Sequence, residues 1–364
     1  MFLKPAMNWM KGFKMQEVLN QLKIKADVVE VQSNGTMSKY ILKMHPGAKV
    51  SKLENCATEI ALGVKAYSRP IIKTVTEEGL VTLELLTKPS CDVSFQDLLS
   101  DLADSTHDLP IMLGKTHDGH NLIADLSKMP HLLVAGATGS GKSVLLHSII
   151  SSLIVNNVDV KLVLIDPKTV ELSAYAGIKQ LLYPIVTEPD VALEVLSDLV
   201  VEMNERFSKM SKLAVNSIVD YNNTAKHSLP YIVLVIDEFS DLMYQVKKEF
   251  QKQLCMLAQK ARACGIHIII ATQRPSVDVV TGLIKANFPA RISCRTTSIV
   301  DSRVILDCSG SEKLLGRGDA LIKSSSHDMI RFKGAFIGLS DINKICVANQ
   351  RGKWARVINY MRNV

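Results

Sequence analysis

The chain has 364 residues, 47% of them hydrophobic and 22% charged, which excludes a disordered or fibrous polymer and leaves room for two or three domains. Its net charge of +7 leans toward a polyanionic partner without specifying one. The seven cysteines (Cys56, Cys91, Cys255, Cys264, Cys294, Cys308, Cys346) form no CxxC pair and have no histidine at zinc spacing. They read as reduced thiols in a cytoplasmic protein, and no apolar run is long enough to cross a bilayer.

Residues 1–25 are basic and lack a continuous apolar stretch, so they are no secretory signal. They read as an amphipathic entry helix packing on the body. Membrane-surface binding through Lys11, Lys14, Lys23 and Lys25 is the weaker alternative. Residues 26–109 open with VVEVQ, SKYILKM, a helical ENCATEIALGV, RPIIKTV and LVTLELL, the pattern of a small α+β subdomain. A helical connector, SCDVSFQDLLSDLADSTHDLP, follows and is ended by Pro110.

Residues 110–340 alternate apolar strands with helical patterns, which predicts an α/β domain with a mainly parallel sheet. Four strands are legible. Leu132–Ala135 runs into a glycine-rich turn, Val160–Ile165 into Asp166, Ile232–Ile236 into Asp237 and Glu238, and Ile266–Ala271 into Thr272 and Gln273. Continuous apolar runs suit strands buried on both faces. Their polar ends should converge at the carboxyl edge, where open α/β sheets hold ligands. Residues 341–364 are a basic tail with Trp354, read as a final packed helix, an adaptor-binding tail or a DNA arm.

The turn after Ala135 reads Gly136, Ala137, Thr138, Gly139, Ser140, Gly141, Lys142, Ser143, Val144, a P-loop between a strand and a helix. Glycines let the backbone curl so that several N–H groups face a phosphate at a helix N-terminus. Lys142 would reach the β- and γ-phosphates and the Ser143 hydroxyl would ligate Mg²⁺. Asp237 would hold the same ion, largely through its water shell. Glu238 is placed to orient the attacking water, or else to cap a helix. Gln273 would sense the γ-phosphate, or else satisfy a loop backbone. No NKxD motif is present, so ATP with Mg²⁺ is the expected ligand rather than GTP.

Longer motifs extend this reading. MPHLLVAGATGSGKSV, LVLIDPKTVELSAYAGI, EMNERF, LPYIVLVIDEFSDLM, LAQKARACGIHIIIATQRPSVDVVTGLIKANFPARISC, DSRVILD and LLGRGDALI together resemble the motor of the FtsK/SpoIIIE family of double-stranded DNA translocases. ILKMHPGAKVSKLENCATEIALGV resembles that family's small α subdomain. The resemblance implies a RecA-like P-loop ATPase in a hexameric ring around duplex DNA, with ATP between subunits. Arg262 matches the arginine that one subunit lends to its neighbour's site; the plainer alternative is a surface arginine at a helix C-terminus. Within RPSVDVVTGLIKAN, Arg274 and Lys285 are the implied DNA contacts, with Arg303 a weaker one. Ion pairs with Asp278 or Asp301 are the alternative. A second pore loop should fall in LAVNSIVDYNN, although Asn216 stands where relatives often carry a cation.

The family's membrane-spanning segments and winged-helix module have no counterpart in these residues. The expectation is therefore a free motor serving a plasmid, virus, integrative element or transfer system. A coupling or packaging ATPase of the wider FtsK–HerA superfamily, a protein-secretion ATPase and a non-hydrolysing scaffold are the remaining alternatives.

Overall fold

The computed structural model describes residues 3–33, 37–75, 79–86, 92–116, 119–129, 131–156, 158–324 and 327–351. The chain divides into two units. One holds residues 1–92, 116–120 and 313–315, and the other holds 93–115, 121–312 and 316–364.

The smaller unit begins with helix α1 (Leu3–Gln21) and strands β1 (Ala26–Ser33) and β2 (Met37–Met44). Helices α2 (Val50–Asn55) and α3 (Ala57–Gly63) follow, then β3 (Ile71–Val75) and β4 (Leu80–Leu86). The strands pair antiparallel in the order β1-β2-β4-β3. Met15 and Leu19 of α1 are buried with Leu42, Leu53, Ile60 and Leu83 in one apolar core. The stretch expected as a single helix is two short ones meeting at Cys56. Gly63 lets α3 close on α1, since a Cβ there would meet the Val18 methyls at 2.5 and 2.9 Å.

The larger unit opens with β5 (Val93–Ser94), α4 (Leu99–Ala103), β6 (Pro110–Thr116) and β7 (Asn121–Asp125). The connector helix therefore stops at Ala103, and Pro110 starts a strand. Next come β8 (His131–Ala135), α5 (Lys142–Val155), β9 (Val160–Ile165), α6 (Pro189–Lys212) and α7 (Ile218–Thr224). After β10 (Tyr231–Ile236) come α8 (Phe239–Gln245), α9 (Lys247–Lys260), β11 (Ile266–Thr272) and α10 (Gly282–Asn287). The unit closes with β12 (Ala290–Cys294), α11 (Ile299–Leu306), β13 (Asp319–Ser324), β14 (His327–Phe336) and α12 (Leu339–Arg351).

Its sheet runs β7-β6-β14-β13-β12-β8-β11-β10-β9, with β5 beside β14. Strands β9, β10, β11, β8 and β12 are parallel. Beyond β12 the pairing turns antiparallel through β13 and β14. The parallel core carries the site, because all its strands deliver their carboxyl ends to one edge. Helix α5 is buried nearly all round, and its small polar residues are satisfied internally: Ser148 Oγ donates to the Met112 carbonyl at 2.8 Å.

The first residues of the basic tail belong to α12, whose Ile342, Ile345 and Cys346 enter the core. Asn349 pins that helix, accepting from the Lys179 amide at 2.8 Å. Trp354 and the rest of the tail lie outside the described residues. Among the described residues the six cysteines carry free thiols, and no helix is long and apolar enough to cross a membrane.

Candidate nucleotide site

The glycine-rich turn leaves β8, which lies between β12 and β11 within the parallel strands, and is tied to both neighbours. Gly136 donates its amide to the Thr272 carbonyl at the end of β11 (3.3 Å), and Ala137 donates to the Arg295 carbonyl just past β12 (2.8 Å). Gly139 (φ +73°) and Gly141 (φ +107°) adopt left-handed backbone that side chains resist. Space over Gly139 is open, whereas Gly141 abuts the Gly318 backbone. Helix α5 starts at Lys142, so its first-turn amides have no intrahelical acceptor and carry the positive end of the helix dipole. That cradle suits a phosphate chain.

Lys142 and Asp237 are both buried, and the ammonium donates to the Asp237 carboxylate. Burial pushes the Asp237 carboxyl above its ordinary range, and Lys142 opposes the rise. Ser143 Oγ donates to Glu171 Oε1 at 2.9 Å, and Glu171 Oε2 lies 3.6 Å from His147 Nε2. A hydroxyl and hard carboxylates fit Mg²⁺, which takes one or two protein ligands and fills the rest with water and phosphate oxygens. No cluster of three or more metal-ligating side chains occurs among the described residues.

Glu238 follows directly. It is 1% exposed and sits at φ +53°. Its Oε1 accepts from the Ser240 hydroxyl, from Thr272 Oγ1 at 2.9 Å and from the Gln273 amide at 3.2 Å. Oε2 accepts from Lys168 Nζ at 3.0 Å. Burial alone would raise its carboxyl, but the bonds from Ser240, Lys168 and Thr272 bring it below the usual range. The Gln273 side chain accepts from Thr138 Oγ1 at 2.7 Å, joining the end of β11 to the P-loop.

Sequence reasoning missed the loop after β9. Asp166, fully buried, accepts from the amides of Lys168, Thr169, Glu171 and Leu172 at 3.0–3.1 Å. That carboxylate fixes the loop so that Lys168 faces Glu238 while Glu171 faces Ser143. A strand-end aspartate was the only local signal.

Arg262 lies at the opposite edge, exposed in the turn between α9 and β11, two residues beyond the helix. The seven residues of β11 put about 20 Å between it and the P-loop edge. It does not serve its own chain's site. Its positive charge, after burial and His267, helps depress the inward-facing His131 to about 3. Arg274 and Arg303 are exposed. Lys285 is paired with Asp307 at 2.8 Å, not with Asp278 or Asp301, and Asp307 also accepts from Arg291 at 2.5 Å.

A mixed sheet with a parallel core, a P-loop on an interior parallel strand and a carboxylate pair on the next strand but one define a RecA-like P-loop ATPase fold. Comparison with known proteins places it further. A profile of the FtsK/SpoIIIE family matches residues 99–277 and one of the FtsK alpha domain matches residues 6–86. The chain belongs to the FtsK/SpoIIIE family. It is 42% identical over 342 residues to the DNA translocase FtsK of Clostridium acetobutylicum, covering 91% of this chain and 45% of that protein. To the DNA translocase SpoIIIE of Bacillus subtilis it is 40% identical over 350 residues, with 91% and 44% covered. The chain thus spans less than half the length of either relative. The pCW3 conjugation coupling protein TcpA, solved as a monomer with ATPγS, shares the fold at a TM-score of 0.66 and 23% identity, with 92% of this chain and 98% of that one covered.

Proposed function

We propose that this chain is the motor of an ATP-driven double-stranded DNA translocase, working in the cytoplasm as a homo-hexameric ring. The observation that carries the reading is the convergence of Lys142, Asp237, Glu238 and Gln273 on one P-loop, at the root of the segment 274–287. Mg²⁺, when bound, would screen the charge that develops on the phosphates. Ser143 and Asp237 would hold it, with Glu171 able to accept from its water shell. Lys142 would leave Asp237 for the β- and γ-phosphates, Glu238 would orient the water, and Gln273 would report the result to segment 274–287. Arg274, Lys285 and Arg303 would contact DNA phosphates. Arg262, remote from its own site, would stabilise charge in a neighbour's, an effect worth several orders of magnitude in rate.

The test is steady-state ATP turnover with no DNA, long linear duplex or single strands, repeated for Lys142→Ala. Strong stimulation by duplex that vanishes in the variant is expected. Turnover indifferent to DNA would instead favour protein export.

A further inference from the structure

Glu238 is oddly placed for a residue that must meet water. Its two carboxylate oxygens accept four close protein donors, and the residue is 1% exposed. Three donors act on Oε1. Oε2 is covered chiefly by the Lys168 ammonium, with the Gln273 amide more distant at 3.4 Å. A general base or water-orienting group needs its acceptor within hydrogen-bond reach of that water. Here the reachable oxygen is taken.

Lys168 is not a stray surface cation. Its loop is pinned by the four amide bonds to Asp166, and Thr169 beside it holds φ +57°. Its side chain is 41% exposed, and a second acceptor, Asp241 Oδ2 on the first turn of α8, lies 3.7 Å from the same nitrogen. The ammonium can pass from Glu238 to Asp241 by a small rotamer change. Besides Ser240, Glu238 is held by Thr272, the last residue of β11, and by Gln273 just after it, where segment 274–287 begins, so the carboxylate is gripped from both sides.

We propose that Lys168 is a positioning residue that withholds Glu238 from water until its ammonium passes to Asp241, making ATP turnover depend on movement at Thr272–Gln273. This rests on the motor function proposed above. Lys168 never touches nucleotide in this scheme. It acts through the glutamate alone.

The experiment compares wild type, Lys168→Ala, Lys168→Arg and Asp241→Asn. Lys168→Ala should raise kcat without DNA on the order of 10-fold, the size of one lost charge-assisted hydrogen bond, with KM for ATP unchanged. Its stimulation by duplex should shrink correspondingly. Lys168→Arg should restore repression, and Asp241→Asn should lower turnover on duplex by keeping the ammonium on Glu238. A readout without nucleotide is the thermal unfolding of Lys168→Ala, Glu238→Gln and the double variant. Directly paired groups give strongly non-additive Tm shifts. Additive shifts, or a Lys168→Ala kcat that is unchanged or equally lowered with and without DNA, would overturn the latch while leaving the motor standing. A wild-type chain that hydrolyses no ATP under any DNA condition would overturn both.

Discussion

Gly141 and Gly318 meet backbone to backbone beneath the P-loop. The Cβ that Gly141 lacks would collide with the Gly318 amide, and that amide donates to the Ser140 carbonyl at 2.8 Å. The loop before β13 thus forms one wall of the phosphate cradle. Gly141→Ala must both strain a φ of +107° and push Gly318 away. We expect it to cost about 1–3 kcal/mol of stability and to weaken ATP-analogue binding on the order of 10-fold or more. Gly139→Ala, at φ +73° over open space, should cost less. Thermal unfolding and calorimetric titration distinguish the two; equal effects would mean that the close approach is unimportant.

Arg262 and the P-loop occupy opposite edges of the same sheet, so in the proposed ring a complete site would need two chains. Arg262→Ala and Glu238→Gln subunits should each hydrolyse poorly alone, falling by on the order of 10³-fold. Mixed rings should regain turnover, because some interfaces would pair a sound glutamate with a sound arginine. No recovery at any mixing ratio would leave Arg262 without its assigned role.

The cations offered to DNA are not equivalent. Arg274 is exposed, whereas Lys285 is already neutralised by Asp307. Each phosphate contact contributes about −0.9 to the slope of log K against log salt for duplex. Arg274→Ala should make that slope shallower by about 0.9, while Lys285→Ala should change it by clearly less. Fluorescence anisotropy on a labelled duplex over a salt series would decide. Identical slopes for both variants and wild type would remove segment 274–287 from the DNA surface.

Asp125 predicts an acid sensitivity. Burial would raise its carboxyl, but bonds from the Ser127 hydroxyl and from the Leu109 and Ser127 amides, with the nearby His107, hold it below the ordinary 3.8. A depressed carboxyl stabilises the fold at pH above its unfolded value, and that contribution is lost as pH falls through the folded value. Asp125→Asn should therefore cost about 1–3 kcal/mol at pH 7. The gap to wild type should begin to narrow below about pH 4 and close only once the pH is below the depressed folded value. Urea unfolding at several pH values gives both numbers, and a gap that persists in acid would contradict the assignment.

The candidate nucleotide site was largely legible from residues next to one another. A P-loop, its strand and its helix are one continuous stretch, and β9, β10 and β11 announce themselves because strands buried on both faces must be apolar throughout. The antiparallel side was not legible. β13 and β14 bury a charged pair, Asp319 with Arg331, whose guanidinium bond of 2.6 Å replaces the apolar run expected of a core strand. In the smaller unit, alternation revealed the strands but not the break at Cys56.

Sequence by itself determined the apolar parallel strands and the glycine-rich turn, because turn glycines and strand periodicity act over a few neighbouring residues. Tertiary structure alone decided which side chains meet. Lys142 finds Asp237 across 95 residues and Lys168 finds Glu238 across 70, contacts that exist only once parallel strands bring their carboxyl ends to one edge. Whether Glu238 faces water or an ammonium is a matter of that packing, since the carboxylate is the same in either arrangement.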